Sequence, residues 1–307
     1  MTDFPRAVSD YLATRRAMGY KLEYQGQMLE QFADYLDSVG AEHLTIAYAL
    51  SWAKQSADAA PVWWSVRLNT VRSFARFLTA LDPATEVPPT GLLPKVSHRR
   101  VPYIYSDQDI ARLRDAAGRL QPEHRADTYQ TLLALIVVTG MRVGEVVRVD
   151  LDDIDLDQGL VTIRNTKFGK SRQLPLHPST TDALAGYARR RDERRPRKKA
   201  LSFFTSATGT RLLRDNVSTV FPRLVRDAGI QSPGRRSPRL HDVRHTFAVK
   251  TLMGWYRDGL DVEPRLPLLS TWLGHTTPRD TYYYLSAVPE LLELIADRLD
   301  AASEAWS

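Results

Sequence analysis

The sequence predicts a two-domain, mainly α-helical protein with one small antiparallel β-sheet. Three observations carry that expectation. Apolar residues recur at helical spacing through most of the 307-residue chain. A proline-rich, basic stretch interrupts the pattern at residues 82–102. Two short strand-like runs, at 160–164 and 172–176, flank a connector containing glycine and lysine. The length agrees, since one domain typically takes ~100–200 residues.

The elements follow in order. Residues 4–18 place Val8, Tyr11 and Leu12 at helical spacing, and Gly19 ends that helix. Residues 22–39 carry one stripe, Met28, Leu29, Phe32, Tyr35 and Leu36, closed by Gly40. Thr45 suits the N-cap of a third helix over 46–56. Pro61, a residue favoured in a first helical turn, opens the fourth. Its apolar side is Leu68, Val71, Ala75 and Leu78, and its other side carries Arg67, Asn69, Arg72 and Arg76. Such a side is ordinarily solvated; on nucleic acid it would contact phosphates. Residues 82–102 hold five prolines and end in Lys95, His98, Arg99 and Arg100. Proline forbids continued helix, so this reads as an extended linker. The expected division is a helical domain at 1–82, a linker at 83–103 and a second domain at 104–307.

In the second domain, Ser106 followed three residues later by Asp109 reads as a capping-box start. The run TLLALIVVTG, 131–140, is apolar on nearly every face and predicts a buried helix ended by Gly140. Strands at 160–164 and 172–176 make a hairpin whose connector holds Lys167, Gly169 and Lys170. Residues 180–191 read as helix. Residues 189–199 hold eight Lys or Arg among eleven, which is either a solvated loop or a phosphate-contacting edge. Further helices are expected around 215–228, 241–254, 265–273 and 289–304. The last is amphipathic through Leu291, Leu294, Ile295 and Leu299.

Composition narrows the function classes. With no cysteine, disulfide frameworks, cysteine-rich zinc modules and thiol nucleophiles are excluded. No apolar run approaches the ~20 residues of a membrane helix. The opening MTDFPRAVSDYL lacks the basic-then-apolar pattern of a secretory signal. A net charge of +6 nudges the expectation toward a polyanionic partner. A bacterial cytoplasmic protein without membrane contact is expected.

Five local features carry chemistry: TGMRVGE (139–145), TKFGK (166–170), HDVRH (241–245), LGHT (273–276) and TYYYL (281–285). Each alone is weak. An arginine such as Arg142 is usually a surface residue or the partner of a carboxylate, here Glu145. A hairpin lysine is usually solvated, and consecutive tyrosines usually pack. HDVRH invites a metal reading, because His241 and His245 share a helix face. Catalytic zinc helices set a glutamate between their histidines. Here Arg244 sets a permanent cation there instead, so no metal is expected.

Taken together and in order, these features resemble the tyrosine recombinase, or phage integrase, family. The N-terminal helices and basic linker are similar in architecture to that family's core-binding domain and interdomain strap. The resemblance implies a C-shaped clamp on DNA, with an N-terminal SAM-like bundle and a C-terminal catalytic domain. It implies site-specific cutting and rejoining of double-stranded DNA through a 3′-phosphotyrosyl intermediate and a four-way junction. A homo-tetramer on two DNA sites follows, with related recombinases as further partners, and no cofactor. By resemblance, Arg142 and Arg244 clamp the scissile phosphate, and His241 accepts or relays the tyrosine proton. His275 hydrogen-bonds the phosphate and Lys167 protonates the 5′-hydroxyl leaving group. Tyr284, nine residues after His275, is the nucleophile. Glu145 supports the first arginine, and His245 is structural. Lys170 is the alternative hairpin lysine, and Tyr282 and Tyr283 the alternative nucleophiles. Arg67, Arg72, Arg76, Lys95, Arg99, Arg100, Lys170 and Arg172 are the expected DNA contacts. The C-terminal helix either packs in its own chain or docks on a neighbouring protomer. The stretch from Gly254 to His275 is longer and more aromatic than the family's usual helix–turn–helix at this place.

The chemistry is consistent with those residue types. A tyrosine with a reference pKa of ~10 is phenolate only about one part in a thousand at neutral pH. It therefore needs a base or nearby cations. Paired guanidinium forks stabilise the charge of a pentacoordinate phosphorus better than lysines do. Two other readings share the sequence: relaxation of supercoils by a type IB topoisomerase-like enzyme, and a catalytically inactive DNA-binding accessory protein.

Overall fold

The structure is a computed structural model, describing residues 2–55, 61–93, 101–164, 171–194, 200–231, 237–275, 277 and 279–286. It divides into two compact units, residues 1–100 and 101–307.

In the first unit four helices pack around one core: α1 (Phe4–Ala17), α2 (Glu23–Ser38), α3 (Ile46–Lys54) and α4 (Pro61–Leu78). The Asp3 carboxylate accepts from the Arg6 amide and caps α1, and the Thr45 hydroxyl accepts from the Tyr48 amide and caps α3. The expected stripes face inward, with Phe32 and Trp52 rings 5.0 Å apart at the centre. The proline-rich residues 82–93 run without helix as a belt folded onto this bundle. The Glu86 amide donates to the Leu44 carbonyl at 2.8 Å, and its carboxylate accepts from the Ile46 amide at 2.7 Å. Arg72, expected on the outward side of α4, is buried. Its Nε donates to the Pro88 carbonyl at 2.6 Å and its Nη2 to the Pro89 carbonyl at 2.7 Å. Arg72 thus supplies polar contacts to belt carbonyls, and Asn69 accepts from its remaining amino group.

The second unit is mostly helical and carries one three-stranded sheet. Its helices are α5 (Asp107–Gly118), α6 (Glu123–Thr139), α7 (Val143–Val146), α8 (Pro178–Arg194), α9 (Arg214–Asp227), α10 (Leu240–Arg257), α11 (Leu266–Leu273) and α12 (Arg279–Ser286). The Ser106–Asp109 capping box is present in both directions at 3.0 Å. The hairpin pairs β2 (Leu160–Ile163) with β3 (Arg172–Pro175), antiparallel, with Ile163 opposite Arg172. A two-residue strand, β1 (Ile154–Asp155), adds to its edge and was not expected from so short a run. α6 is buried along Leu132, Leu133, Leu135 and Ile136, but Val138 is 46% exposed, so its apolar character does not extend to every face in burial. α8 runs to Arg194, so the first half of the basic run is helix rather than loop. Arg191 is buried and donates to the Phe203 carbonyl at 2.7 Å, while Arg190 and Arg194 pair with Asp127. The rest of that run lies outside the described residues, as does the expected C-terminal helix at 289–304. Among the described residues no helix is long and apolar enough to cross a membrane.

The long stretch between α10 and His275 has a simple resolution. It extends α10, turns at Gly259, and returns as α11 with Pro267 in its first turn. Val249, Leu252, Val262, Leu266, Leu269 and Leu273 close the two helices on each other.

Candidate active site

The site is organised by the C-terminal end of α11. The last carbonyls of a helix have no partners within it and carry partial negative charge. Here three consecutive carbonyls each receive a different guanidinium. Trp272 accepts from Arg172 Nε at 2.8 Å, Leu273 from Arg244 Nη2 at 2.6 Å, and Gly274 from Arg142 Nη2 at 3.0 Å. Arg244, on α10, also donates through Nη1 to the Gly140 carbonyl at 2.7 Å. It thus joins the ends of α6 and α11 and is only 1% exposed. Both helices close with a glycine in the left-handed region, Gly140 at φ 63° and Gly274 at φ 65°. A Cβ on Gly140 would lie 2.5 Å from the Phe247 ring, so the close approach requires glycine.

Glu145 connects this end to the first arginine. Its Oε1 accepts from Arg142 Nη1 at 2.9 Å and its Oε2 from the Arg142 amide at 2.9 Å, which also caps α7. The same carboxylate accepts from Arg172 Nη2 at 2.9 Å and Nη1 at 3.2 Å. Burial alone would raise the Glu145 pKa, but Arg172 and Arg142 hold it below the usual carboxylate value. The Arg142 side chain remains 39% exposed, against 3% for Glu145 and 10% for Arg172. Arg142 is therefore the member of the group that opens to solvent.

The histidines surround the same patch. His241 lies in the first turn of α10, one turn before Arg244, and His245 directly follows Arg244. The two imidazoles meet edge to face at 4.7 Å. His275 follows Gly274 directly, and its Nδ1 shares a 2.7 Å hydrogen bond with the hydroxyl of Thr281, a buried residue on α12. Desolvation, followed by the field of Arg244, lowers the pKa of His241 to about 4, although the residue as a whole is exposed. His275 is lowered to about 4 by the same two causes, and His245 by desolvation and His241. All three are neutral at pH 7. Neutral His241 is able to take a proton. Among the described residues, no three His, Asp or Glu have an arrangement that would hold a metal.

The three tyrosines share α12. Tyr282 is exposed, and Tyr283 packs on the α10–α11 core with its ring 6.5 Å from His245. The side chain of Tyr284 lies outside the described residues, as do Lys167 and Lys170. Ile163 and Arg172, at the two ends of their connector, are paired in the hairpin.

The model of the phage integrase family matches residues 106–290. A Sinorhizobium fredii protein named putative integrase/recombinase y4rB is 41% identical over 98% of both chains. The chain belongs to the phage integrase family, the tyrosine recombinases. Tyrosine recombinase XerC of Azotobacter vinelandii is 33% identical over 59% of this chain and 57% of its own. Among solved structures, the Tn1549 transposon integrase in complex with transposon right end DNA has the same fold. Its TM-score is 0.66 at 14% identity, covering 97% of this chain and all of that one. XerH bound to difH, in a pre-cleavage complex, has a TM-score of 0.63 at 15% identity over 94% and 80%.

Within this family member, Arg142 and Arg244 bond to the end of α11, His275 follows it directly, Glu145 holds Arg142, and His241 and His245 meet on the first turns of α10. The expected DNA contacts divide. Arg76 is exposed, whereas the Arg67 guanidinium lies 3.8 Å over the Trp52 ring. Arg72 is committed to the belt. Arg172 turns inward to Glu145 and Trp272 rather than outward to a duplex. Lys95, Arg99 and Arg100 lie outside the described residues. Two residues of the site were missed in the sequence: Arg172 in this role, and Thr281. Arg172 left a signal, because it stands two residues before buried Leu174 and so shares its side of the strand.

Proposed function

We propose that the chain is a site-specific recombinase that cuts and rejoins double-stranded DNA through a 3′-phosphotyrosyl intermediate. The observation that carries the reading is the shared anchoring of Arg142 and Arg244 on adjacent α11 carbonyls, next to His275 and one helical turn from His241. In this reading the Tyr284 oxygen forms a bond to phosphorus while the bond to the 5′-oxygen breaks. The phenol proton passes to neutral His241, and Lys167 delivers a proton to the departing 5′-oxygen. Arg142 and Arg244 offset the charge developing on the non-bridging oxygens, and His275 donates to one of them. Reversal with a 5′-hydroxyl from another duplex completes the exchange. One phosphate ester replaces another, so the balance calls for neither ATP nor a metal.

Four protomers on two DNA sites would run two such exchanges through a four-way junction. Integration, excision or transposition of a mobile element is the role in keeping with the names of the S. fredii and Tn1549 relatives. Arg76, Lys95, Arg99 and Arg100 are the proposed phosphate contacts, so binding should weaken steeply with salt.

The test is covalent trapping on a nicked duplex selected by binding from a random-sequence pool. The wild-type chain should form an adduct that survives denaturant, in the presence of chelator. Tyr284→Phe should bind the duplex and form none, while Tyr283→Phe should still form it. The opposite pattern would move the nucleophile to Tyr283. No adduct from any form would remove the reading.

A further inference from the structure

We propose that Arg172 is a positioning residue that keeps Arg142 available to the scissile phosphate by taking up half of Glu145. The inference rests on the reading of the site given above.

Three observations point to this role. First, Glu145 is almost wholly buried and both of its oxygens are shared. Each accepts from Arg142, through the side chain or the amide, and each accepts from Arg172. Second, the third Arg172 donor, Nε, is anchored on the Trp272 carbonyl, next to the carbonyls that hold Arg244 and Arg142. Third, Arg172 is the first residue of β3 and pairs with Ile163, so it fixes the base of the hairpin whose connector holds Lys167.

The physical consequence is electrostatic before it is mechanical. With Arg172 present, two guanidiniums face one carboxylate and the group keeps one net positive charge. Without it, Glu145 cancels Arg142. A lone Arg–carboxylate pair also favours the bidentate fork geometry. Arg142 would then turn its second amino group from the Gly274 carbonyl to Glu145, and away from the open side. The arrangement is therefore a three-part clamp in which the inner arginine preserves the charge and direction of the outer one. A lysine at 172 would keep the charge but could not reach two carboxylate oxygens and a carbonyl with one planar fork.

The experiment measures single-turnover cleavage of the nicked duplex and, in a Tyr284→Phe background, the affinity for the same duplex. Arg172→Ala should cleave about a hundredfold more slowly, the scale of a misplaced catalytic group, with affinity within about twofold of the parent. Arg172→Lys should cleave about tenfold more slowly and melts near the wild type, which keeps the test decisive if Arg172→Ala does not fold. The double variant Arg172→Ala with Glu145→Gln restores the net charge and should cleave about tenfold faster than Arg172→Ala alone. A merely structural arginine would give no such rescue, and the double variant would be the slowest of the set. That result, or a wild-type cleavage rate in Arg172→Lys, overturns the inference. Arg142→Ala separates the two levels. If it cleaves normally, the reading of the site fails; if it is inactive while Arg172→Lys is normal, only the role of Arg172 fails.

Discussion

Replacing Gly274 by alanine tests how tightly the arginine cluster is packed against the end of α11. Gly274 sits at φ 65° and ψ 45°. An added Cβ would lie 2.5 Å from Arg172 Nη1 and 2.8 Å from its Cζ, well inside contact distance. Arg172 has little freedom to step aside, because its donors are held by Glu145 and the Trp272 carbonyl. Two costs then add. A left-handed backbone with a Cβ costs about 1–2 kcal/mol. Displacing the guanidinium loses at least one charge-assisted hydrogen bond, about 1.5–3 kcal/mol. The expected total is about 2.5–5 kcal/mol. Gly259→Ala supplies the control in the same unit. Gly259 lies at φ 70° with nothing within 4 Å of the new Cβ, so it meets only the backbone cost. The difference, about 2 kcal/mol or more, belongs to the collision with Arg172. In urea it should separate the two midpoints by roughly 1 M, given a slope of about 2 kcal/mol/M. Circular dichroism in urea reads the midpoints, and the nicked duplex reads cleavage, which should fall in Gly274→Ala and hold in Gly259→Ala. Coincident midpoints with normal cleavage would refute the tight packing of Arg172 on Gly274.

Two further outcomes follow. His241, His245 and His275 have folded-state pKa values near 4 against 6.5 for the free side chain, so between those values the unfolded chain binds more protons. Their contribution to stability is full above pH 6.5 and is lost as the pH falls toward 4. Most carboxylates are still ionised down to about pH 5, so urea midpoints at pH 7.5, 6 and 5 should fall steadily; a flat profile would contradict the lowered pKa values of these histidines. Arg72→Ala should cost about 2–3 kcal/mol by leaving the Pro88 and Pro89 carbonyls unpaired. Amide exchange at residues 84–87 should rise with it, while the salt dependence of DNA binding stays the same; a slope shallower by about one would return Arg72 to the phosphate contacts.

Most helices were legible because their faces follow one rule: an apolar stripe at helical spacing, with a cap at each end. Ser106, Thr45, Gly19, Gly40 and Gly140 mark their ends as the local rules require. The order Arg142, His241, Arg244, His275 was legible as a family pattern, but their convergence was not. It depends on main-chain carbonyls at 140 and 272–274, which every residue has and no sequence advertises. The misread arginines share one cause. Arg72, Arg172 and Arg191 were assigned by charge to solvent or phosphate, yet each turns to a partner inside its own unit. Long-range acceptors such as Pro88 or Phe203 are invisible to local spacing. β1 was missed because two residues hold no periodicity; Ile154 is selected by pairing with Val161.

The choice of acceptors also explains how this site stays cationic around the buried Arg244. A guanidinium paired with a carboxylate is largely neutralised, whereas one held by carbonyls keeps its charge and still has its donors satisfied. Arg244 is held on both sides by carbonyls, those of Gly140 and Leu273. Arg142 is held by the Gly274 carbonyl and by a carboxylate that Arg172 divides with it. Arg142 and Arg172 thus share one carboxylate, and with Arg244 they lie against a helix end of roughly half a negative charge. The histidines register the positive charge: after desolvation, Arg244 is the next cause lowering both His241 and His275, and Arg142 acts in the same direction on each. Anchoring on the end of α11 therefore does two things with one set of bonds. It satisfies the donors of Arg244 and Arg172, and it holds Arg244 where its charge adds to desolvation in keeping His241 and His275 neutral, the state a proton acceptor at position 241 requires.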